Sequence, residues 1–413
     1  MALNPKFPHH DYSKEPEREV ESLHIQKNYP FNAEPLLPYL VQSFLTPPKH
    51  FFKRNHGPIP LLDAEKHRVY IEILSPPEDL PTTSRKGGLS LSVAQLRNDF
   101  PKRTITSALQ CAGNRREGLA KVKHVKGVLW KDGTVSNATW SGARLSEVLY
   151  LAGLPTNWAD TSMATWHVDM EATGDCEETA RYGSSIPLAL AMDRLSDVIL
   201  AYEMNGETLS RDHGFPIRMI VPGVIGARSV KYLAKIRVQP GESSSFYQQR
   251  DYKILPPHAH EGNVDTFWSG LPALQEMNVQ SVVCEPTDGE RLVRSSPYTI
   301  RGYSLSGGGR GIQRVDVSLD GGKTWDMAQL YGQSKAERAA QKTWSWTLWS
   351  LRIPRWPEPQ GDTNSSDKVE VVCRAWDDAG NTQPENPVWN YRGVMNNAWH
   401  RVGNLSFYEE AKM

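Results

Sequence analysis

The strongest constraint on the fold is a change of hydrophobic period a little past the middle of the chain. Before it, helical and strand patterns mix. In Leu91-Ser92-Val93-Ala94-Gln95-Leu96-Arg97-Asn98-Asp99-Phe100, Ser92 stands as a cap ahead of Val93, Leu96 and Phe100 at helical spacing. Leu145, Val148, Leu149 and Ala152 recur similarly, with Gly153 where a helix C-terminus places glycine. Short β-branched runs and glycine turns lie between, which predicts an α+β domain over 31–255 behind an N-terminal tail (1–30). From Gly241 the chain turns Ser-, Gln- and Pro-rich (GESSSFYQQRDYKILPPHAHEGN), as an inter-domain connection would. Beyond it the period becomes two. Arg314–Leu319 alternates polar and apolar before the Asp320-Gly321-Gly322 turn, and Val369, Val371, Cys373 and Ala375 share one face. This predicts an all-β, immunoglobulin-like sandwich over 270–405, with a tail at 406–413.

Charge and composition narrow the function. Lys+Arg and Asp+Glu both number 47, so the chain lacks the basic excess of a nucleic-acid or membrane-surface protein. With 39% hydrophobic and 23% charged residues it can bury a core. The longest apolar runs, around Val198–Ala201 and Met219–Ile225, fall far short of a membrane span. The N-terminal MALNPKFPHHDYSKEPEREVE is polar, without an apolar secretory core. Cys111, Cys176, Cys284 and Cys373 are scattered and form no CxxC pair, unlike a disulfide framework or a zinc site. A cytoplasmic or organellar protein fits these features. The final Ala411-Lys412-Met413 resembles a Ser-Lys-Leu-type peroxisomal address read by an import receptor.

One stretch carries the chemistry: Ser107-Ala108-Leu109-Gln110-Cys111-Ala112-Gly113-Asn114-Arg115-Arg116. A lone cysteine is most often a buried apolar residue. A cysteine beside two arginines is a candidate thiolate, hence a soft metal ligand or nucleophile. The segment LQCAGNRR resembles the molybdenum domain of the sulfite oxidase family, shared with eukaryotic nitrate reductase. So, in family order, do Phe51–His56 (FFKRNH), Lys126–Trp130, Trp140–Leu145 and Ala201–Gly206. Arg211–Arg218, Val221–Lys231 (VPGVIGARSVK), Ser318–Trp325 and Val388–His400 (VWNYRGVMNNAWH) continue the series.

The resemblance implies a molybdenum-cofactor domain followed by a dimerisation domain, and so a homodimer. It implies that Cys111 binds molybdenum beside the dithiolene of one pyranopterin. Arg54, Asn55 and His56, with Asp175, His213, Arg218, Ser229, Val230 and Lys231, would hold the pterin and its phosphate. A buried phosphate needs several cationic or N–H donors. Taken alone, His213 in Asp212-His213-Gly214 reads as a structural histidine in a turn. Arg54, Arg116 and Arg392 match the arginines of the substrate pocket, and Trp130 and Tyr252 its aromatic members. A single arginine reads as a solvated surface charge, whereas several fixed donors can offset the hydration a small oxyanion loses.

Arg392 favours sulfite, because the resemblance puts arginine there in sulfite oxidases and an apolar residue in nitrate reductases. No His-Pro-Gly-Gly haem segment and no GxGxxG fingerprint opening a helix appears, so neither haem nor flavin is expected. The implied reaction is oxygen-atom transfer to sulfite, with dioxygen as acceptor and hydrogen peroxide as product, which would suit a peroxisome. A nitrate-reducing molybdenum domain is the alternative enzyme. A cofactor-binding or interaction protein without turnover is the alternative of another class.

Overall fold

The computed structural model describes residues 10–74, 88–332, 342–358 and 369–409. Ala411-Lys412-Met413 lies outside them. The helices are short, because each only bridges strands. Val93–Asn98 opens on a capping box: the Ser92 hydroxyl accepts from the Gln95 amide (3.1 Å) while Gln95 Oε1 accepts from the Ser92 amide (3.0 Å). Two orphan donors of the first turn are thereby satisfied. The helix stops at Asn98, two residues short of Phe100, which is buried from the segment beyond it. Leu145–Leu151 buries Leu145, Val148 and Leu149 and ends before Gly153, whose φ of 98° glycine adopts without a Cβ penalty.

Two five-stranded sheets build the first part. One runs Leu89–Ser92, Arg68–Ile73, Leu233–Gln239, His167–Ala172, Gly183–Pro187, with only the Arg68–Ile73/Leu233–Gln239 pairing parallel. The other runs Glu207–Thr208, Ile199–Met204, Val135–Arg144, Arg103–Gln110, and Arg218–Ile220 also pairs with Ile199–Met204. Inward residues of both, among them Val69, Ile71, Val168, Ile236 and Leu200, join one core with the Leu145–Leu151 helix.

The second part has, besides a parallel pair of Arg291–Val293 with Ser406–Tyr408, two four-stranded sheets. One is Gln280–Glu285, Tyr298–Leu305, Thr347–Ile353 and Gln329–Tyr331. The other is Asp326–Met327, Ile312–Ser318, Val371–Asp377 and His400–Val402. Val283, Ile300 and Trp349 from the first meet Val315, Val317, Val371, Cys373 and Ala375 from the second in one core. Alternate residues pointing inward are what a two-sheet packing requires, and Cys373 takes the place its alternation predicts.

The two parts are not beads on a string. Val282, Cys284, Tyr303, Leu305, Trp346 and Leu348 of the second belong to the core of the first. The Tyr303 hydroxyl donates to the Asp132 carbonyl (2.8 Å), and the Trp346 indole to that of Phe44 (2.9 Å). The stretch after Gly241 is also more than a connection, since its π-helical turn Tyr247–Asp251 fully buries Tyr247 and Gln248. All four cysteines are buried and free of disulfides. Among the described residues no helix is long and apolar enough to cross a membrane.

Candidate active site

Strand Arg103–Gln110 delivers Cys111 to the floor of a cleft. The Cys111 amide donates to the Thr134 carbonyl (3.0 Å), and the Gly113 amide reaches Cys111 Sγ at 3.4 Å. The chain then turns back through Arg115, at a left-handed φ of 65°, into the short helix Arg116–Ala120. Cys111 is thereby held at 6% exposure among the residues that line the cleft. The cleft contains about 870 Å³ of empty space, open solvent at its mouth included.

Its walls gather residues far apart in sequence. Arg54, Asn55, His56, Cys111, Asp175, His213, Arg218, Ser229, Val230, Lys231 and Tyr252 all line it. Of the sequence-derived candidates, only Arg116, Trp130 and Arg392 are not among the lining residues, and they cluster on the Cys111 side. Trp130 is fully buried in the apolar cluster that includes Cys111, and its indole nitrogen has no hydrogen-bond partner among the described residues. Arg116 donates to the carbonyls of Arg392 and Gly393 (both 3.0 Å) and of Val128 (2.7 Å). The second part of the chain thus completes the site. Three glycines make room for the Arg116 side chain: a Cβ on Gly113, Gly127 or Gly393 would lie 2.7 Å from it.

The electrostatics are lopsided. Burial pulls the Arg116 guanidinium below its usual range, the field of Cys111 opposes this, and that of Arg54 adds to it. Burial and the nearby Arg116 and Arg54 bring Arg392 to about 10. Arg392 is paired with Asp251. The His56 ring links the wall: its Nδ1 is 3.2 Å from Arg54 Nη2 and its Nε2 is 3.2 Å from the Tyr252 hydroxyl. Burial first, then Arg54 and Lys231, hold His56 well below the ordinary histidine range.

At the opposite end, Arg218 donates to the carbonyls of His213 (2.9 Å) and Ser229 (3.0 Å), and its Nε has no partner among the described residues. Lys231 donates to Asn55 Oδ1 (2.5 Å) and the Asp212 carbonyl (2.9 Å). Burial lowers Arg218 to about 10 and Lys231 to about 7, the latter also because Arg218 is near. His213, held against Phe51 and the Pro48 carbonyl, falls to about 3 by burial and the neighbouring Lys53. Buried cations bonded only to neutral acceptors are costly unless an anion joins them. This corner fits a phosphate.

Sequence reasoning missed several members. Tyr182 stacks on Tyr247 (4.4 Å between centroids) and lies 5.0 Å from the His56 ring; neither tyrosine sits in a motif. Asp212 lines the cleft one residue before His213, and Asp251 pairs with Arg392 one residue before Tyr252. For these two, adjacency to a chosen residue was the available signal.

Among the described residues no group of three or more His, Cys, Asp or Glu side chains gathers to hold a metal. A metal at Cys111 would meet one soft sulfur there, with room for a cofactor to supply further ligands. One soft sulfur, a phosphate corner and tyrosine walls suit a metal carried on a phosphorylated organic group.

Comparison with known proteins agrees. Residues 56–247 match the model of the oxidoreductase molybdopterin binding domain, and 272–404 that of the Mo-co oxidoreductase dimerisation domain. The sulfite oxidase of Arabidopsis thaliana is 44% identical over 95% of this chain and 96% of its own length. The chain belongs to the sulfite oxidase family. The mitochondrial sulfite oxidase of Homo sapiens is 46% identical over 95% of this chain and 67% of its own length. A nitrate reductase [NADH] of Cichorium intybus is 38% identical over 94% of this chain and 41% of its own. The crystal structure of the sulfane dehydrogenase SoxCD from Paracoccus pantotrophus shares the fold, with a TM-score of 0.70 at 24% identity over 94% of this chain and 87% of that one. This family member is a molybdopterin-binding oxidoreductase with a β-rich dimerisation domain.

Proposed function

We propose that this enzyme oxidises sulfite to sulfate, with Cys111 as the protein's ligand to molybdenum. The observation that carries the reading is the grouping of cations around Cys111: Arg54 lines the cleft with it and, like Tyr252, reaches the His56 ring, while Arg116, five residues on, donates to the Arg392 carbonyl. When bound, the molybdenum cofactor supplies the oxygen atom and takes up the two electrons. The chain's own residues do the rest. Arg218, Lys231, His213 and the Ser229–Lys231 segment hold the phosphate end, while Asn55, His56 and Asp175 border the pterin. The three arginines supply the positive field that draws the oxyanion from water toward Cys111. The Tyr252 hydroxyl is a further donor toward substrate oxygens, and Trp130 packs in the apolar cluster that holds Cys111. Tyr252 stays protonated because burial raises it well above the usual tyrosine range, so it acts as a hydrogen-bond donor.

Overall, sulfite and water yield sulfate, two electrons and two protons. We assign dioxygen as the acceptor, which those electrons and protons convert to hydrogen peroxide. The Arabidopsis sulfite oxidase, matched over nearly its whole length, supports the sulfite half of this reaction. Nitrate is the competing substrate, given the nitrate reductase relative. Arg392 favours sulfite, because a third arginine suits the more highly charged anion. The dimerisation domain supports a homodimer.

The test is Cys111→Ser. Sulfite-dependent oxygen uptake should be abolished with the fold intact by circular dichroism. Retention of most of the activity would overturn the reading, and nitrate turnover exceeding sulfite turnover in the unaltered protein would replace the substrate.

A further inference from the structure

Residues 10–20 carry no helix or strand, yet they contain two deeply set charges. The Arg18 and Glu15 side chains are 8% and 10% exposed. Arg18 grips Asp212 in a forked pair: Nε lies 3.1 and 3.0 Å from its two carboxylate oxygens, and Nη2 lies 2.9 Å from Oδ1. Arg18 Nη2 also donates to Glu15 (2.5 Å), whose other oxygen accepts from the Ile59 amide (2.9 Å). Arg211 donates to the Lys14 carbonyl (2.8 Å), and the Arg18 guanidinium lies 4.1 Å from the Phe31 ring centroid. The segment therefore straps the 57–59 wall of the cleft to the 211–213 turn.

Asp212 is the problem this strap addresses. It lines the cleft beside His213, and its carbonyl accepts from Lys231. In the corner where Arg218 and Lys231 meet only neutral acceptors, a bare carboxylate would repel an entering phosphate. It would also draw the Lys231 ammonium toward itself. The forked Arg18 pair, which Glu15 shares, ties this carboxylate down and offsets its charge, and such pairs fix geometry as well as charge. We infer that Arg18 is a cofactor-positioning residue that acts through Asp212, keeping the cationic corner free for the phosphate of the cofactor. The inference rests on the pterin reading above.

The experiment follows pterin loss from purified holoenzyme, as the fluorescent oxidised pterin recovered in the filtrate during repeated ultrafiltration. Arg18→Gln should release pterin about tenfold faster than the unaltered enzyme, a difference of about 1.4 kcal/mol in retention. Arg18→Lys should recover part of the retention. The double variant Arg18→Gln with Asp212→Asn should also recover it, because the uncompensated carboxylate is gone. A purely structural strap would gain nothing from the second substitution. Equal release from Arg18→Gln and unaltered enzyme, or no recovery in the double variant, would overturn the inference alone. Unaltered protein that carries no pterin would overturn the functional reading as well.

Discussion

Lys231 should be a residue whose removal strengthens the cofactor-free protein while ruining it as a cofactor carrier. Burial lowers its ammonium from 10.5 to about 7. At roughly 1.4 kcal/mol per unit, the fold gives up about 4–5 kcal/mol to keep this amine inside. Lys231→Met removes that penalty and also the hydrogen bonds to Asn55 and the Asp212 carbonyl, each contributing about 1 kcal/mol. The net expectation is a cofactor-free protein more stable by about 2–3 kcal/mol at pH 7. The sign of the pH dependence follows. Between about pH 7 and 10.5 the unfolded chain binds the proton that the folded chain has released, so stability rises with pH through that window. Lys231→Met should flatten the rise. Urea unfolding of the cofactor-free proteins at pH 7 and 9, with pterin fluorescence on the loaded ones, reads both effects. A less stable variant at pH 7, or one that keeps full pterin, would refute the reasoning.

Other substitutions probe other walls. Arg392→Met should raise the sulfite KM at least about tenfold with a smaller change in kcat, since a charge-assisted hydrogen bond contributes about 1.5–3 kcal/mol; an unchanged KM in oxygen-uptake kinetics would remove this arginine from substrate binding. Gly57→Ala should lower both thermal stability and pterin content. Its Cβ would fall 2.0 Å from the Asp175 carbonyl oxygen, and forced repacking of this kind costs about 1–3 kcal/mol. Unaltered Tm and pterin would show that the wall yields.

Much of this molecule was legible before its fold. The capping box at Ser92 and the alternation through Val371, Cys373 and Ala375 are local patterns, and local patterns survive folding. The motif residues from Arg54 to Tyr252 also came from the sequence, and the cleft brings most of them onto its walls. What escaped was created by chain crossings. The glycine cage around Arg116 joins residues 113, 127 and 393, and no spacing relates them. Tyr182 and Tyr247 meet only because strand Gly183–Pro187 packs beside the Tyr247–Asp251 turn. The stretch after Gly241 misled for a compositional reason: Ser, Gln and Pro mark linkers on average, but here Gln248 is buried as the acceptor for Arg228 and Ser184. Asp212 escaped because an acid in a cationic corner makes sense only with Arg18, 194 residues away, on it.

The most direct test of the central claim is a paired measurement on one preparation of the unaltered protein: molybdenum and pterin per chain, and turnover with sulfite and oxygen. The account predicts about one molybdenum and one pterin per Cys111, with sulfite consumed and peroxide formed in equal amounts. Protein that holds pterin and molybdenum yet leaves sulfite unoxidised, or that oxidises sulfite without molybdenum, would contradict it.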